Sequence, residues 1–210
     1  SASCERKIRQ VPESTGTRIK KGAIIMKTCN STDKRVLKIE ETLRKQYGMD
    51  FVSLKNDYTQ AKNLLEACEL MAKKGESVPK NYIVSNTMLG TGQALRTESC
   101  VLHATTKLNK ILNPPNIKQK NLFSTDHKLQ SIIHEFGHCK QGSAIEFIEI
   151  PKHLQKVRKS VSGYAKKAGN AELWAELYAK VHLAPQKITK EEWELYHYIK
   201  SKIINMNYYC

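Results

Sequence analysis

The chain has 210 residues, of which 40 % are apolar and 26 % charged, a composition of folded globular proteins that argues against the disordered and membrane-spanning classes. Its 35 basic and 20 acidic residues give a net charge of +15, which fits either an acidic partner or a solvated basic surface. No apolar run reaches the roughly 18 residues that span a bilayer, so we expect a soluble chain without a membrane span. Nothing in the sequence demands more than a monomer.

The first thirty residues differ from the rest of the chain. Residues 1–30 show little periodicity and predict an irregular lead-in, whereas residues 31–210 predict one domain. Six cysteines stand singly and far apart without a Cys-x-x-Cys pair, so we expect reduced thiols and no cysteine metal site.

Two amphipathic helices are predicted early in the domain. Asp33 is placed to cap an apolar repeat of helical spacing that Gly48 ends. Asp57 is placed in the same way before a second repeat that ends at Gly75. We expect both helices to pack their apolar faces on the core.

Short extended segments lie between and after these helices. Residues 50–54 and 81–85 have the length and composition of strands, and a longer run covers residues 94–104. Together they predict a small mixed sheet.

The second half of the domain is predicted to be helical. Residues 124–126 offer a cap for a helix that runs to about Gln141. Two more helices are expected, over residues 171–182 and from a Thr-Lys-Glu-Glu capping box at 189–192 to about Met206. The fold class is therefore α+β, with a helical C-terminal part.

One helix of this half carries the pattern His-Glu-x-x-His. In His134-Glu-Phe-Gly-His138 the two histidines are four residues apart, so their side chains leave one face of the helix and can share a metal ion. Two neutral imidazoles suit Zn²⁺, and a catalytic zinc needs a third protein ligand as well. We therefore expect Zn²⁺ at His134 and His138.

The third ligand is expected downstream. Ala171-Glu-Leu-Trp-Ala-Glu176 presents Glu172 and Glu176 one helical turn apart, and one of the two should reach the metal. We assign Glu172 to the metal and Glu176 to the outer N–H of a ligand histidine, whose tautomer it would fix. The alternative is that both carboxylates belong to a solvated helix face.

Two further residues are expected to take part in chemistry. Glu135, next to the first histidine, is placed to take a proton from the attacking water and to pass it to the departing amine. Tyr164 is placed to donate its hydroxyl to a developing oxyanion, unless it is a buried structural tyrosine. The other nearby histidines, His103, His127 and His153, are expected in the core or on the surface rather than at the metal.

These residues resemble the family that includes the anthrax lethal factor catalytic domain and the clostridial Pro-Pro endopeptidases. The likeness covers residues 32–205 and includes the zinc motif, a tyrosine at 164 and Ala171-Glu-Leu-Trp-Ala-Glu176, where the family shows Glu-Phe-Phe-Ala-Glu. The chain departs from the family at Leu173 and Trp174, which replace paired phenylalanines, and in the spacing of the tyrosine.

The resemblance implies a zincin-like metallopeptidase of the gluzincin type. It implies zinc ligands at His134, His138 and Glu172, and it implies the catalytic roles stated above for Glu135 and Tyr164. Since family members are commonly secreted toxins or effectors, it also implies a bacterial protease that is secreted or translocated into a host cell cytosol.

Three functions compete at this point, and the third, a peptidase that its charge draws to DNA-bound proteins, would combine the signatures of the other two. The first is a zinc endopeptidase that binds a protein substrate in extended form along the strand around Leu95 and Val101, with specificity pockets shaped by loops 86–93 and 142–163. The second is a non-catalytic or nucleic-acid-associated protein that keeps a zincin fold and uses its basic surface. Binding to nucleic acid that weakens with salt and is unchanged when the metal is removed would distinguish the second function.

Overall fold

A computed structural model of the chain describes residues 31–85, 95–98, 101–105, 122–141 and 144–207. The expected lead-in over residues 1–30 lies outside the described residues. The described α-helices are α1 (Lys34–Tyr47), α2 (Tyr58–Lys73), α3 (Gln130–Lys140), α4 (Lys152–Gln155), α5 (Arg158–Val161), α6 (Gly163–Lys167), α7 (Asn170–Leu183) and α8 (Lys190–Asn207). The described strands are β1 (Phe51–Ser53), β2 (Asn81–Ser85), β3 (Leu95–Glu98) and β4 (Val101–Thr105).

The described strands form one mixed sheet in the order β1-β2-β4-β3. β1, β2 and β4 run parallel, while β3 pairs antiparallel to β4 and lies at the edge of this set of strands. A mostly helical chain with one small sheet belongs to the α+β class, which confirms the coarse expectation.

The run over residues 94–104 is two strands and not one. Leu95 pairs with Ala104 and Glu98 with Val101, so the segment folds back on itself as a hairpin. The polar residues near Glu98 mark the turn, but the apolar residues on both sides conceal it in the sequence. Leu95 and Val101 consequently lie on neighbouring strands, and only Leu95 is on the edge strand.

The first two helices have the predicted ends. The Asp33 side chain accepts a hydrogen bond from Arg35 N, and Gly48 takes a left-handed φ of 64° after the last residue of α1. The Asp57 side chain accepts from Gln60 N at the start of α2.

The start of α3 differs from the prediction. The helix begins at Gln130, and no side chain caps it. Ser124 and Thr125 are engaged elsewhere: Ser124 N–H donates to Glu176 Oε2 at 2.6 Å, and the Thr125 hydroxyl lies 2.7 Å from Gln130 Oε1. Because Ser124 and Thr125 form these contacts, they do not cap the N-terminus of α3.

The last two helices meet at a buried ion pair. Lys180 Nζ on α7 lies 2.7 and 2.8 Å from the two carboxylate oxygens of Glu192 on α8. Glu192 also completes the predicted capping box, because its carboxylate accepts from Thr189 N and its own N–H donates to Thr189 Oγ1.

α7 is the central helix of the described structure. It packs on α3 more extensively than any other pair of helices does, and it also contacts α6 and α8. Leu173, Trp174, Leu177 and Tyr178 are buried along it. Across the described ranges, no helix combines the length and the apolar character that a bilayer span requires.

Candidate metal centre

The site is built on the buried face of α3. Ile132, Ile133 and Phe136 anchor this helix in the core, and His134 and Glu135 are themselves only 6 % and 8 % exposed. His138 follows one turn later, and the two Nε2 atoms, His134 Nε2 and His138 Nε2, are 3.1 Å apart. Both imidazoles therefore present the same ring nitrogen to one point.

Close packing brings α7 against this helix. A Cβ at Gly137 would lie 3.0 Å from Ala175 Cα and 3.1 Å from Tyr178 Cβ, so only glycine leaves room for the neighbouring backbone. The Trp174 indole N–H donates to Gly137 O at 2.9 Å and fixes the register of the two helices. Packing against α7 thus requires glycine at position 137, the third residue between the two histidines.

The first turn of α7 is held by a carboxylate from a distant part of the chain. Glu146 accepts hydrogen bonds from Asn170 N at 2.8 Å and Ala171 N at 3.0 Å, which stabilises the helix start that carries Glu172. A Cβ at Gly169 would lie 2.7 Å from Glu146 Cδ, so the glycine is needed for this approach.

Glu172 reaches both imidazoles from α7. Its Oε2 atom lies 3.1 Å from His134 Nε2 and 3.4 Å from His138 Nε2. The oxygen is buried and has no hydrogen bond of acceptable geometry despite these short distances. The two ring nitrogens and this oxygen therefore lie close together around one point.

The outer ring nitrogens of the histidines are both held by oxygen atoms. His134 Nδ1 lies 2.8 Å from Glu176 Oε1, and His138 Nδ1 lies 3.0 Å from Gln141 Oε1. Because carboxylate and amide oxygens accept, each Nδ1 carries a proton, and in the neutral form of each ring Nε2 keeps a lone pair. In that neutral form two nitrogen lone pairs and a carboxylate oxygen face the same point, and either a proton or a metal ion there stabilises them.

Charge at the site favours a positive species. Burial alone would lower the pKa of His134, but the carboxylates of Glu172 and Glu176 raise it to about 10. Burial would raise the pKa of Glu172, but the imidazoles of His134 and His138 lower it to about 2. The Glu172 carboxylate thus stays ionised, and His134 stays protonated until a metal ion takes the place of the proton on Nε2.

The spacing of these atoms fits zinc. Ligand atoms about 2.0–2.1 Å from a tetrahedral zinc ion lie about 3.3–3.4 Å from one another. The three distances among His134 Nε2, His138 Nε2 and Glu172 Oε2 are 3.1, 3.1 and 3.4 Å. Two imidazoles and a carboxylate are also a donor set that catalytic zinc uses.

Glu135 is part of the same cluster. Each of His134, Glu135 and His138 offers a potential ligand atom within 4.8 Å of the others. The Glu172 oxygen lies within the same limit of both histidines, so the geometry allows either glutamate as the third ligand.

Tyr164 borders the centre on the side of α6. Its ring centroid is 6.1 Å from that of His134 and 6.5 Å from that of Phe123. Burial, followed by the charges of Glu172 and Glu135, raises the pKa of Tyr164, which keeps the hydroxyl protonated. Because the residue is 39 % exposed, it does not fit the alternative of a buried structural tyrosine.

Glu172 and Glu176 lie one turn apart on α7. Glu176 is completely buried behind His134, so the alternative of two carboxylates on a solvated face does not hold for it. Two of the remaining histidines lie on the surface as expected: His127 is exposed, and His153 pairs with Glu194 at 3.0 Å. The side chains of Leu95, Val101 and His103 lie outside the described set.

Three contributors to the site were not predicted. Gln141 orients His138, and its position three residues further along the helix was a signal that the sequence offered. Ser124 and Gln130 both bind the Glu176 carboxylate, whose Oε1 lies 3.3 Å from Gln130 Nε2. Their role depends on how the chain returns in space, for which the sequence gives no local sign.

Comparison with protein-family models, with curated proteins and with solved structures finds no significant match for this chain.

Proposed function

We propose that the chain is a zinc-dependent endopeptidase of the gluzincin type with a zincin-like fold. The observation that carries the proposal is the convergence of His134 Nε2, His138 Nε2 and Glu172 Oε2 at 3.1 to 3.4 Å, with both outer ring nitrogens held by oxygen acceptors. Two imidazoles and a carboxylate oriented in this way are a ligand set for a divalent cation.

His134, His138 and Glu172 would hold the zinc ion. When bound, zinc supplies a Lewis acid that polarises the scissile carbonyl and makes water a stronger acid. Glu176 keeps the proton of His134 on Nδ1, with Ser124 and Gln130 holding that carboxylate in turn. Gln141 does the same for His138.

Glu135 would move the proton in the reaction. Its carboxylate takes the proton from the attacking water and delivers it to the nitrogen of the departing amine, as a general base and then a general acid. Tyr164 donates its hydroxyl hydrogen bond to the oxygen that becomes negatively charged at the attacked carbonyl. Its raised pKa keeps that proton in place.

The sheet offers a place for the substrate backbone. β3 is the outer strand of the described sheet next to β4, and it lies against α3. An extended peptide could add to this edge by main-chain hydrogen bonds and pass the metal centre. Leu95 on β3 would then lie beside the substrate, whereas Val101 belongs to β4, the next strand of the sheet.

The resemblance of the zinc helix and of Ala171-Glu-Leu-Trp-Ala-Glu176 to the lethal factor family also supports a peptidase. The further proposal of a secreted or translocated bacterial effector rests on that resemblance alone. A non-catalytic basic protein remains the competing function, and it differs in requiring neither zinc nor Glu135.

The experiment is zinc analysis and cleavage of a random peptide library by the wild type and two variants. We expect one zinc per chain, little zinc in Glu172→Ala, and full zinc in Glu135→Gln with activity reduced by about 10²- to 10⁴-fold. Glu69→Gln, at an exposed position on α2, is the matched control and should cleave normally. Cleavage by Glu135→Gln at the wild-type rate, or a wild type that takes up no zinc, would overturn the proposal.

A further inference from the structure

The segment that leads into α7 is strongly basic. Residues 150–171 contain six lysines and arginines and no aspartate or glutamate. They form α4, α5 and α6, three short helices that end directly before the helix of Glu172. The basic residues are Lys152, Lys156, Arg158, Lys159, Lys166 and Lys167.

Among the contacts of the described residues, only one of these six side chains has a hydrogen-bond partner. Arg158 donates to Ala168 O at 2.6 Å and to Asn170 Oδ1, which secures the start of α7. All five lysines are exposed, and none forms an ion pair with another residue of the described ranges. Five uncompensated positive charges on 16 consecutive residues, 152–167, repel one another, so the segment gains from a negatively charged partner.

The basic segment adjoins the metal centre. Tyr164 belongs to the same short helix, α6, as Lys166 and Lys167, and its ring lies 6.1 Å from that of His134. Lys167 is three residues after Tyr164, so the two side chains leave neighbouring positions of the helix, about 5–6 Å apart at Cβ. A peptide in contact with Tyr164 would therefore pass within reach of the Lys167 ammonium group.

Two nearby carboxylates are engaged away from this surface. Glu146 is occupied by the backbone N–H groups of Asn170 and Ala171. Glu172 faces the two imidazoles of the metal centre. The exposed Glu149 precedes the segment and Glu194 pairs with His153, so the five lysines still outnumber the carboxylates beside them.

We propose that the endopeptidase selects protein substrates with a cluster of acidic residues on the side of the scissile bond that faces Tyr164. This inference rests on the proposed function and adds the substrate class to it. Aspartate and glutamate side chains on an extended peptide bind the lysines of α6 first and those of α4 and α5 further along. The interaction increases the association rate more than it strengthens the bound complex.

The test uses two zinc-loaded variants and paired fluorogenic peptides that differ only in having three Asp or three Asn on one side of the cleaved bond. In the double variant Lys166→Glu and Lys167→Glu, the ratio of kcat/KM for acidic over neutral peptide should fall about tenfold. The matched control is Lys34→Glu with Lys38→Glu on α1, two exposed lysines on another helix, and it should keep the wild-type ratio. The wild-type preference should shrink in 1 M NaCl, because salt screens exposed charges.

Binding measured separately distinguishes a failure of this inference from a failure of the proposed function. Fluorescence anisotropy with the acidic peptide and the Glu135→Gln chain reports on the basic segment even when no peptide is cleaved. Cleavage that is indifferent to acidic residues, with equal binding of both peptides, overturns the inference and leaves the endopeptidase intact. Tighter, Lys166- and Lys167-dependent binding of a single-stranded oligonucleotide than of the acidic peptide also overturns it, in favour of nucleic acid.

Discussion

The two histidines of the metal centre are oriented by different acceptors. His134 uses the buried carboxylate of Glu176, whereas His138 uses the neutral amide of Gln141, at the half-buried end of α3. A carboxylate raises the basicity of the imidazole more than an amide does, because the imidazole proton is shared with a negative charge. His138 is therefore the ligand whose orientation is easier to perturb.

Removing the Gln141 amide should weaken metal binding. In Gln141→Leu, His138 loses the acceptor that fixes its tautomer, and the zinc affinity should fall about 10- to 100-fold. Gln141→Glu should restore tight binding, because a carboxylate accepts the same hydrogen bond. Competition with a chromophoric chelator measures the affinity, and Gln186→Leu at an exposed position is the control. An unchanged affinity in Gln141→Leu would show that the contact has no role in binding.

Tyr164→Phe should lower turnover without removing zinc. Losing one hydrogen-bond donor to a developing oxyanion costs about 10²- to 10³-fold in kcat. The ring that faces His134 and Phe123 is kept, so KM and the zinc content should stay close to those of the wild type. Steady-state kinetics on a cleaved library peptide measures both constants. A rise in KM of this size with kcat unchanged would instead assign the hydroxyl to substrate binding.

The residues of the site differ in how far the sequence could predict them. His134, His138 and Glu172 are on regular helices, where spacing fixes the face, and the structure brings them together. Gln141 follows the same spacing and could have been found by it. Glu146 could not, because it caps a helix that starts 24 residues later in the chain.

At the scale of the elements, the contact between α3 and α7 decides the geometry of the metal centre. The helices approach so closely at Gly137 that the nearest atoms of α7 would be 3.0 and 3.1 Å from an added Cβ. One of those atoms is the backbone Cα of Ala175, which cannot move without moving the helix.

A larger residue at this crossing should destabilise the protein. Gly137→Val should lower the free energy of unfolding by about 2–3 kcal/mol, because overpacking in a dense core forces the backbone to shift. Thermal unfolding measures the change. Ala72→Val, at an exposed position of α2, adds the same kind of side chain without a clash and should cost about 0.5 kcal/mol. Equal stability of the two variants would contradict the close packing.

The elements were predictable where their ends depend on local residues. α1, α2 and α8 have caps that lie next to them in the chain, and their positions were correct within a residue or two. The start of α3 was placed too early because Ser124 and Thr125 serve Glu176 and Gln130 instead. The segment 142–163 was expected as loops, yet it contains α4, α5 and the start of α6, which are too short for periodicity to reveal.

At the scale of the whole molecule, one buried histidine links stability to pH. His182 on α7 is 8 % exposed, and neither of its ring nitrogens has a hydrogen-bond partner among the described residues. Burial lowers the pKa of His182 to about 4; Glu76 opposes this, and the charges of Lys74, Lys200 and Lys140 add to it. The folded chain therefore keeps this imidazole neutral.

The sign of the effect follows from the lowered pKa. His182 binds its proton more readily in the unfolded chain, near pH 6.5, than in the folded chain, near pH 4. The contribution of the neutral His182 to the free energy of unfolding is complete above pH 6.5. It is lost as the pH falls toward 4, and the loss is about 3 kcal/mol at most.

Replacing His182 should make the free energy of unfolding less dependent on pH between 6.5 and 4. In His182→Phe the loss of stability between pH 6.5 and 4 should be smaller than in the wild type, as measured by urea unfolding at several pH values. His127→Phe, at an exposed position, should follow the wild type. Parallel curves for the wild type and His182→Phe would show that the imidazole does not titrate in this range.

The hydrogen bond between Trp174 and Gly137 has an optical consequence. Zinc(II) has no absorption of its own with which to follow binding, because its d shell is full. The chain contains two tryptophans, and the indole of Trp174 is 2 % exposed, stacked on Tyr196 and bonded to the carbonyl of a residue next to His138. Its fluorescence emission should be blue-shifted while α3 and α7 are docked and should move to the red when they separate. The molecule thus contains its own reporter of the contact between α3 and α7.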